Sequence, residues 1–227
     1  MDQISVQDIL IRSRNTILDL LEGRGYDTTP YRKLVAEDLV KLMGNPGSSC
    51  PSLRMDVKHK SEEKNAIVEY TFANIKQQIG SGKFVRDILD TTESSDKSEL
   101  IGINPETTEV LVIYMPKNIS EDMESYNKAA LEAWTKYNFR IQFFPMTRLV
   151  NNPLNHVLQP KFEVVPKEER DELLKSWYCR SKSQFPLIRY HHDMVARCLG
   201  LVPGDIVKII RASYSSGDYT LYRTCAP

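Results

Sequence analysis

The six residues from Val110 to Met115, Val-Leu-Val-Ile-Tyr-Met, carry no polar face. A strand that is apolar on both sides has to be covered on both sides, because successive side chains point to opposite faces of a sheet. The chain that follows supplies one such cover. Ser120, Glu121 and Asp122 make an acidic helix start, and Tyr126, Ala130, Ala133, Trp134 and Tyr137 recur behind it at helical spacing. Phe139-Arg-Ile-Gln-Phe-Phe144 then reads as a second strand. Strand, helix and strand within 35 residues is the spacing of a βαβ unit, which points to an α/β sandwich here.

The same run contains the longest purely apolar stretch, the four residues Val110 to Ile113. That is far short of the ~20 residues a membrane-crossing helix requires. The N-terminal Met-Asp-Gln-Ile-Ser lacks a basic region followed by an apolar one, so no secretory signal is expected. At 227 residues the chain is longer than one typical domain and suggests one large or two modest ones. Its 41% hydrophobic and 26% charged residues exclude the collagen-like, disordered and disulfide-scaffold classes. Thirty basic against thirty acidic groups leave no formal charge, which argues against an autonomous nucleic-acid binder. The balance is uneven along the chain. Residues 1–150 hold 19 basic and 22 acidic groups, net −3, while residues 151–227 hold 11 and 8, net +3, with three of the four histidines. Cys50, Cys179, Cys198 and Cys225 are widely spaced, without a C-x-x-C pair or a histidine at ligand spacing. Free thiols in a reducing compartment are the expectation.

Other elements are legible along the chain. Ser5 and Asp8 suggest a capped helix carrying Val6, Ile9, Leu10, Ile17, Leu20 and Leu21, stopped by Gly23 and Gly25. Thr29 and Pro30 suggest the start of a second helix with Leu34, Val35, Leu39, Leu42 and Met43 on one face, up to Gly44. Residues 44–51 read as a loop, Ile67 to Phe72 as a strand, and Thr91 to Glu99 as a mobile surface loop. Asn151-Asn-Pro153 is the natural linker. Beyond it, Pro166 and the following acids open a helix with Leu173, Leu174 and Trp177 inward. Asp193 caps a short helix closed by Gly200. Asp205 to Arg211 and Tyr219 to Arg223 form a hairpin around Ser215-Ser-Gly217-Asp218. The expected architecture is therefore an α/β domain over 1–150 and a small α+β domain over 151–227.

No catalytic motif rises above chance. Gly80-Ser-Gly82-Lys83 lacks both the upstream glycine, replaced by Gln77, and the Ser or Thr after the lysine, replaced by Phe84, that a phosphate loop needs. His191-His192-Asp193 reads as a polar approach to a capped helix, since adjacent side chains on an extended segment point apart. Asp56-Val-Lys58, with Glu69 or Glu109 as a second acid, could form the Mg²⁺ cluster of a nuclease. That is the alternative reading. Otherwise neither metal nor cofactor is expected.

The second domain resembles a known family. Leu173-Leu-Lys-Ser-Trp-Tyr178, Ser183-Gln-Phe-Pro-Leu-Ile-Arg189, Asp193, Leu199-Gly-Leu201, Gly204-Asp-Ile-Val-Lys-Ile-Ile-Arg211, Ser216-Gly217 and Tyr219 to Arg223 follow one another in order. Over residues 156–227 this string is similar to the small common subunit of nuclear RNA polymerases I, II and III, whose C-terminal half alone corresponds to a short archaeal polymerase subunit. Arg24-Gly-Tyr26 and Asn127-Lys-Ala-Ala-Leu131 more loosely resemble the eukaryotic-type N-terminal domain. The resemblance implies a non-catalytic subunit of a multisubunit DNA-directed RNA polymerase. Its C-terminal assembly domain would dock on the largest subunit, among other polymerase subunits. Its N-terminal jaw domain, a nuclease-like sandwich without an active site, would project toward downstream DNA.

On that reading Arg189, Arg211, Tyr219, Tyr222 and Arg223 are the candidate partner interface, Tyr and Arg being the residues that dominate interfaces. Lys117 and Asn118 are the candidate DNA-proximal pair. Gly200, Gly204 and Gly217 are the structural turns. The chain departs from the family at Asp193-Met194, where relatives commonly have Asp-Pro. It departs again at Val202-Pro203, Ala212 and Asp218, where basic residues are usual. Such divergence fits a distant eukaryote, with the protein in the nucleus, or a large DNA virus, with the protein in a cytoplasmic factory or virion.

Overall fold

Strand residues of the N-terminal part assemble into one sheet with spatial order β1 (Met55–Lys58), β2 (Asn65–Thr71), β3 (Thr108–Tyr114), β4 (Arg140–Pro145). The protein, a computed structural model, is described over residues 5–42, 50–80, 84–85, 104–116, 123–215 and 217–227. It divides into two compact units, Met1–Asn152 and Pro153–Pro227. In the first, β2, β3 and β4 are parallel and β1 is an antiparallel edge. Every residue of β3 is buried, as a strand covered on both faces requires.

The two covers are identifiable by contact. Helices α1 (Val6–Gly23), α2 (Ala36–Leu42), α3 (Lys76–Gly80) and α4 (Glu124–Tyr137) belong to this unit. Ser5 caps α1 by accepting from the Asp8 N–H at 3.1 Å, and Gly25 follows its end at φ +91°. Helix α1 lies on one face. Arg14 in its middle is beside Tyr70, and Arg24 just past its end pairs with Glu109. Helix α4 lies on the other. Its Tyr126 stacks on Tyr114 with centroids 4.5 Å apart and meets the edge of Phe143.

The second helix begins later than Thr29 and Pro30 suggest. Residues Thr29–Tyr31 form a 3₁₀ turn, and α2 starts at Ala36. Side chains hold that turn. The Asp27 carboxylate accepts from the Thr29 N–H, Arg32 reaches Asp19 and Glu22, and the Tyr31 hydroxyl donates to the Asp56 carbonyl at 2.8 Å. The Asp56 N–H donates back to Tyr31, so this hydroxyl caps part of the exposed edge of β1. Residues 91–99, 117–122 and most of the Gly44 loop lie outside the described residues.

Glu109 is the one carboxylate carried by β3. It is 4% exposed and sits between Arg24 and Arg140, the latter at 3.3 Å. Burial alone would raise its pKa. Arg24 and Arg140, helped by a hydrogen bond from Tyr26, outweigh burial and hold the group at about 2.

In the second unit the order is β5 (Lys161–Val164), β7 (Ile206–Ser213), β8 (Gly217–Ala226), β6 (Leu187–Arg189). Neighbours are antiparallel except β6 and β8, which are parallel. Helix α5 (Arg170–Ser176) and helix α6 (Met194–Leu199) complete it. Asp193 caps α6, accepting from the Val195 N–H at 2.8 Å and the Ala196 N–H at 3.4 Å. A polar clamp joins α5 to the sheet. The Arg170 guanidinium donates to the Asp205 carboxylate at 2.9 Å and to the carbonyls of Val165 and Gly204. The second Asp205 oxygen accepts from the Val202 N–H at 2.9 Å, and the Asp205 carbonyl accepts from the Cys225 N–H at 2.7 Å. Beneath it pack Val165, Phe185 and Ile206, joined by Leu173, Leu174, Cys179 and Tyr222. Each such aliphatic side chain stabilises by about 1.5–3 kcal/mol when fully buried.

Two outcomes follow from these charged groups. Glu109→Gln strands two guanidinium groups and should cost on the order of 3 kcal/mol near neutral pH. The folded pKa of Glu109 is depressed below its ordinary value of 4.5, so its contribution is full above that pH and fades as pH falls toward about 2. Urea midpoints of wild type and variant should therefore converge on acidification, and a constant gap would refute the assignment. Arg170→Met leaves Asp205 without its cation and should cost about 2–3 kcal/mol. Hydrogen exchange should quicken at the Val165, Val202 and Cys225 amides, and unchanged protection there would show that the clamp is dispensable.

Candidate partner interface of the C-terminal unit

Strand parity sorts the candidate interface residues. In the β7–β8 hairpin Lys208 lies opposite Tyr222, Ile209 opposite Leu221 and Arg211 opposite Tyr219. Opposed residues share a face and alternate ones change face. Ile206, Lys208, Ile210, Thr220, Tyr222 and Thr224 therefore point one way. Val207, Ile209, Arg211, Tyr219, Leu221, Arg223 and Cys225 point the other. Leu187 pairs with Thr224 and Arg189 with Ala226, which assigns both to the Tyr222 face.

The five interface candidates are thus divided between two faces. Tyr222 is half-buried and engaged within the unit. Its ring lies 5.4 Å from that of Trp177 and 5.9 Å from that of Phe185, and it packs against the unit's apolar core. Arg189, on the same face at the edge strand β6, is exposed. On the opposite face Arg211, Tyr219 and Arg223 are exposed together, with Leu221 half-buried between them. Tyr219 is opposite Arg211, and neither Arg211 nor Arg189 makes an ion pair among the described residues. Arg223 is tethered, donating to the Leu187 carbonyl at 3.3 Å. Lower on this face Val207, Ile209 and Cys225 are buried. Burial pushes the Cys225 thiol up to about 12, so it is an unreactive core residue.

The turns around this surface are built on positive backbone angles. Gly200, Gly204 and Gly217 have φ of +67°, +94° and +72°. At Gly204 a Cβ would also come within 2.6 Å of the Lys182 ammonium, which donates to the Gly204 carbonyl. His191 and His192 do not form a site with Asp193, whose carboxylate is engaged in the helix cap. His191 is 1% exposed, and burial with Arg197 and His192 nearby lowers its pKa well below the ordinary range. Lys117 and Asn118 lie outside the described residues.

Sequence reasoning missed the exposed apolar side chains of this unit. Val157, Leu158, Tyr178 and Tyr214 are almost wholly exposed, and Trp177 and Leu187 about half. Hydrophobic periodicity assigns such residues to a core, as it did Trp177, because it cannot tell an outward apolar side chain from an inward one.

Of the acids in the alternative reading, Asp56 and Glu69 come together, but around the Arg54 guanidinium, and Glu109 is kept apart from them. Asp56, Lys58 and Glu69 share one face of the first sheet, because Asp56 lies opposite Ile67 and Glu69 follows two residues later. Glu109 lies opposite Ala66 and so projects from the other face. Asp56 and Glu69 are both paired with Arg54, at 3.1 and 3.4 Å, and Glu109 with its own two arginines. Among the described residues no group of three or more His, Cys, Asp or Glu side chains is placed to hold a metal ion.

Comparison with known proteins agrees with the C-terminal motif string. The family model described as RNA polymerase Rpb5, C-terminal domain, matches residues 151–225. The DNA-directed RNA polymerases I, II, and III subunit rpabc1 of Dictyostelium discoideum is 27% identical over 217 residues, covering 95% of this chain and 96% of the relative. The DNA-directed RNA polymerases IV and V subunit 5B of Arabidopsis thaliana is 23% identical over 93% of this chain and 87% of its own length. The DNA-directed RNA polymerase subunit Rpo5 of Archaeoglobus fulgidus is 46% identical over 69 residues, 30% of this chain and 88% of the relative. The archaeal match spans nearly all of a short relative, while the eukaryotic ones span both units of this chain. The chain belongs to the Rpb5 family of RNA polymerase subunits.

Proposed function

We propose that this protein is a non-catalytic subunit of a multisubunit DNA-directed RNA polymerase. The observation that carries this reading is the end-to-end match to a eukaryotic polymerase subunit, over 95% of this chain and 96% of the relative. The arrangement of the ionisable groups supports it. The acids of the first sheet are neutralised by arginines, whereas cations and apolar side chains of the second unit are left facing outward. A chain held inside a larger assembly needs no charge excess to lie beside DNA, so the zero formal charge fits.

In this reading the C-terminal unit docks on the largest polymerase subunit. Arg211, Tyr219 and Arg223 would contribute from one face and Arg189 from the other. The N-terminal unit is the jaw and approaches downstream DNA, with Lys117 and Asn118 nearest to it. Its place is the nucleus, or a cytoplasmic factory or virion if a large DNA virus encodes it.

Affinity purification of the tagged full-length chain from its own cells should recover the large polymerase subunits. Recovery of the bait alone under gentle salt would sink the reading. Arg211→Glu combined with Tyr219→Ala should reduce that recovery by about tenfold or more, as hot-spot residues do. The thermal midpoint of the free chain should stay unchanged, since both side chains are exposed. Undiminished recovery would remove this face from the interface.

A further inference from the structure

Helix α5 ends in a Schellman turn. The Cys179 N–H donates to the Leu174 carbonyl at 2.8 Å, and the Tyr178 N–H to the Lys175 carbonyl at 3.1 Å. The turn requires Tyr178 to adopt φ +53°, where the Cβ of an L residue crowds the following carbonyl and glycine is usual. Other helices of the chain meet the same need with tolerant residues, α6 with Gly200 and α4 with Asn138. Beyond those backbone bonds, the Tyr178 side chain does nothing among the described residues to offset the strain. It is 95% exposed and makes no hydrogen bond or ring contact among the described residues. A bulky residue held in a disfavoured conformation with its ring in solvent points to a role outside the fold.

The surroundings identify the kind of partner. Residues 173–192 contain Lys175, Arg180, Lys182 and Arg189 and no acid at all. Lys175 and Arg180, three and two positions from Tyr178, are exposed and make no ion pair among the described residues. The nearest acids in sequence, Asp171 and Glu172, occupy the first turn of α5, at the opposite end of the helix. Trp177 is braced edge-on against Phe185 and Tyr222, which fixes the turn that carries Tyr178.

We infer that Tyr178, flanked by Lys175 and Arg180, is the anchor for an acidic polypeptide segment of another polymerase subunit. The inference rests on the polymerase reading above. An exposed aromatic ring rimmed by cations is the pattern of an interface hot spot with electrostatic selection for acid. A nucleic-acid strand fits less well, because binding it takes successive stacking rings along a basic groove, and the neighbouring Trp177 is turned edge-on into Phe185 and Tyr222 instead of lying beside Tyr178 as a second platform.

The test uses the tagged full-length chain in its own cells, with Tyr178→Gly, Tyr178→Phe and the pair Lys175→Glu and Arg180→Glu. Tyr178→Gly should keep or raise the thermal midpoint by a few degrees, because it relieves the strained turn, yet cut subunit recovery at moderate salt by about tenfold. The charge-reversed pair should lose recovery similarly, whereas Tyr178→Phe should retain most of it. A photo-crosslinking phenylalanine analogue at position 178 should attach to a stretch of a polymerase subunit with an excess of Asp and Glu. A lowered midpoint for Tyr178→Gly, full recovery with that variant, or crosslinking to nucleic acid or to a non-acidic stretch would each overturn the assignment. If wild type recovers the subunits while Tyr178→Gly does so equally, only the anchor falls. If wild type recovers none, the subunit reading falls and the anchor with it.

Discussion

The C-terminal unit is organised around the Arg170–Asp205 clamp. One guanidinium holds the carboxylate just before β7 and two backbone carbonyls at once, while Asp205 also gathers the Val202 and Cys225 amides. Each of these groups is at least partly withdrawn from water, so each would be costly to leave unsatisfied. The clamp fixes α5 against the start of the hairpin. That in turn sets Val165, Phe185 and Ile206 together and places Tyr222 beneath Trp177. A sheet of only four strands, with edge strands of three and four residues, depends on such a polar tie to hold its helical cover in register.

With one face covered in this way, the pleat decides what remains outside. Arg211, Tyr219 and Arg223 emerge on the side opposite Tyr222 because they differ from it by odd numbers of residues along paired strands. The same rule disperses the acids of the first unit, sending Glu109 to one face and Asp56 and Glu69 to the other. Charge is used differently in the two units. In the first, arginines are matched to acids in and around the sheet. In the second, the exposed Lys175, Arg180, Arg189 and Arg211 make no ion pair among the described residues.

This distribution changes what the absence of net charge means. A zero sum bears on free association with a polyanion, which scales with the number of phosphates neutralised. It says little about a protein held in place by protein contacts, where local arrangement decides. An acid-free stretch such as residues 173–192 can favour an acidic partner inside a chain that is neutral overall.

Long apolar patterns are legible in the sequence itself. The β3–α4–β4 unit, the helix capped by Ser5, the helix between Asp193 and Gly200, and the β7–β8 hairpin all announced themselves through periodicity and turn chemistry. The motif string of the last third named the family. The strands that escaped notice, β1, β5 and β6, are all sheet edges of three or four residues, too short for alternation to register. The site was less legible than the fold. The sequence itself determined which residues could make an interface, since residue type and order are local properties. Only the tertiary structure decided that Tyr222 turns inward, that Arg189 and Arg211 stand on different faces, and that Tyr178 is held strained in solvent. Those outcomes depend on strand register and on what packs against each face, and both are set by contacts between residues far apart in the chain.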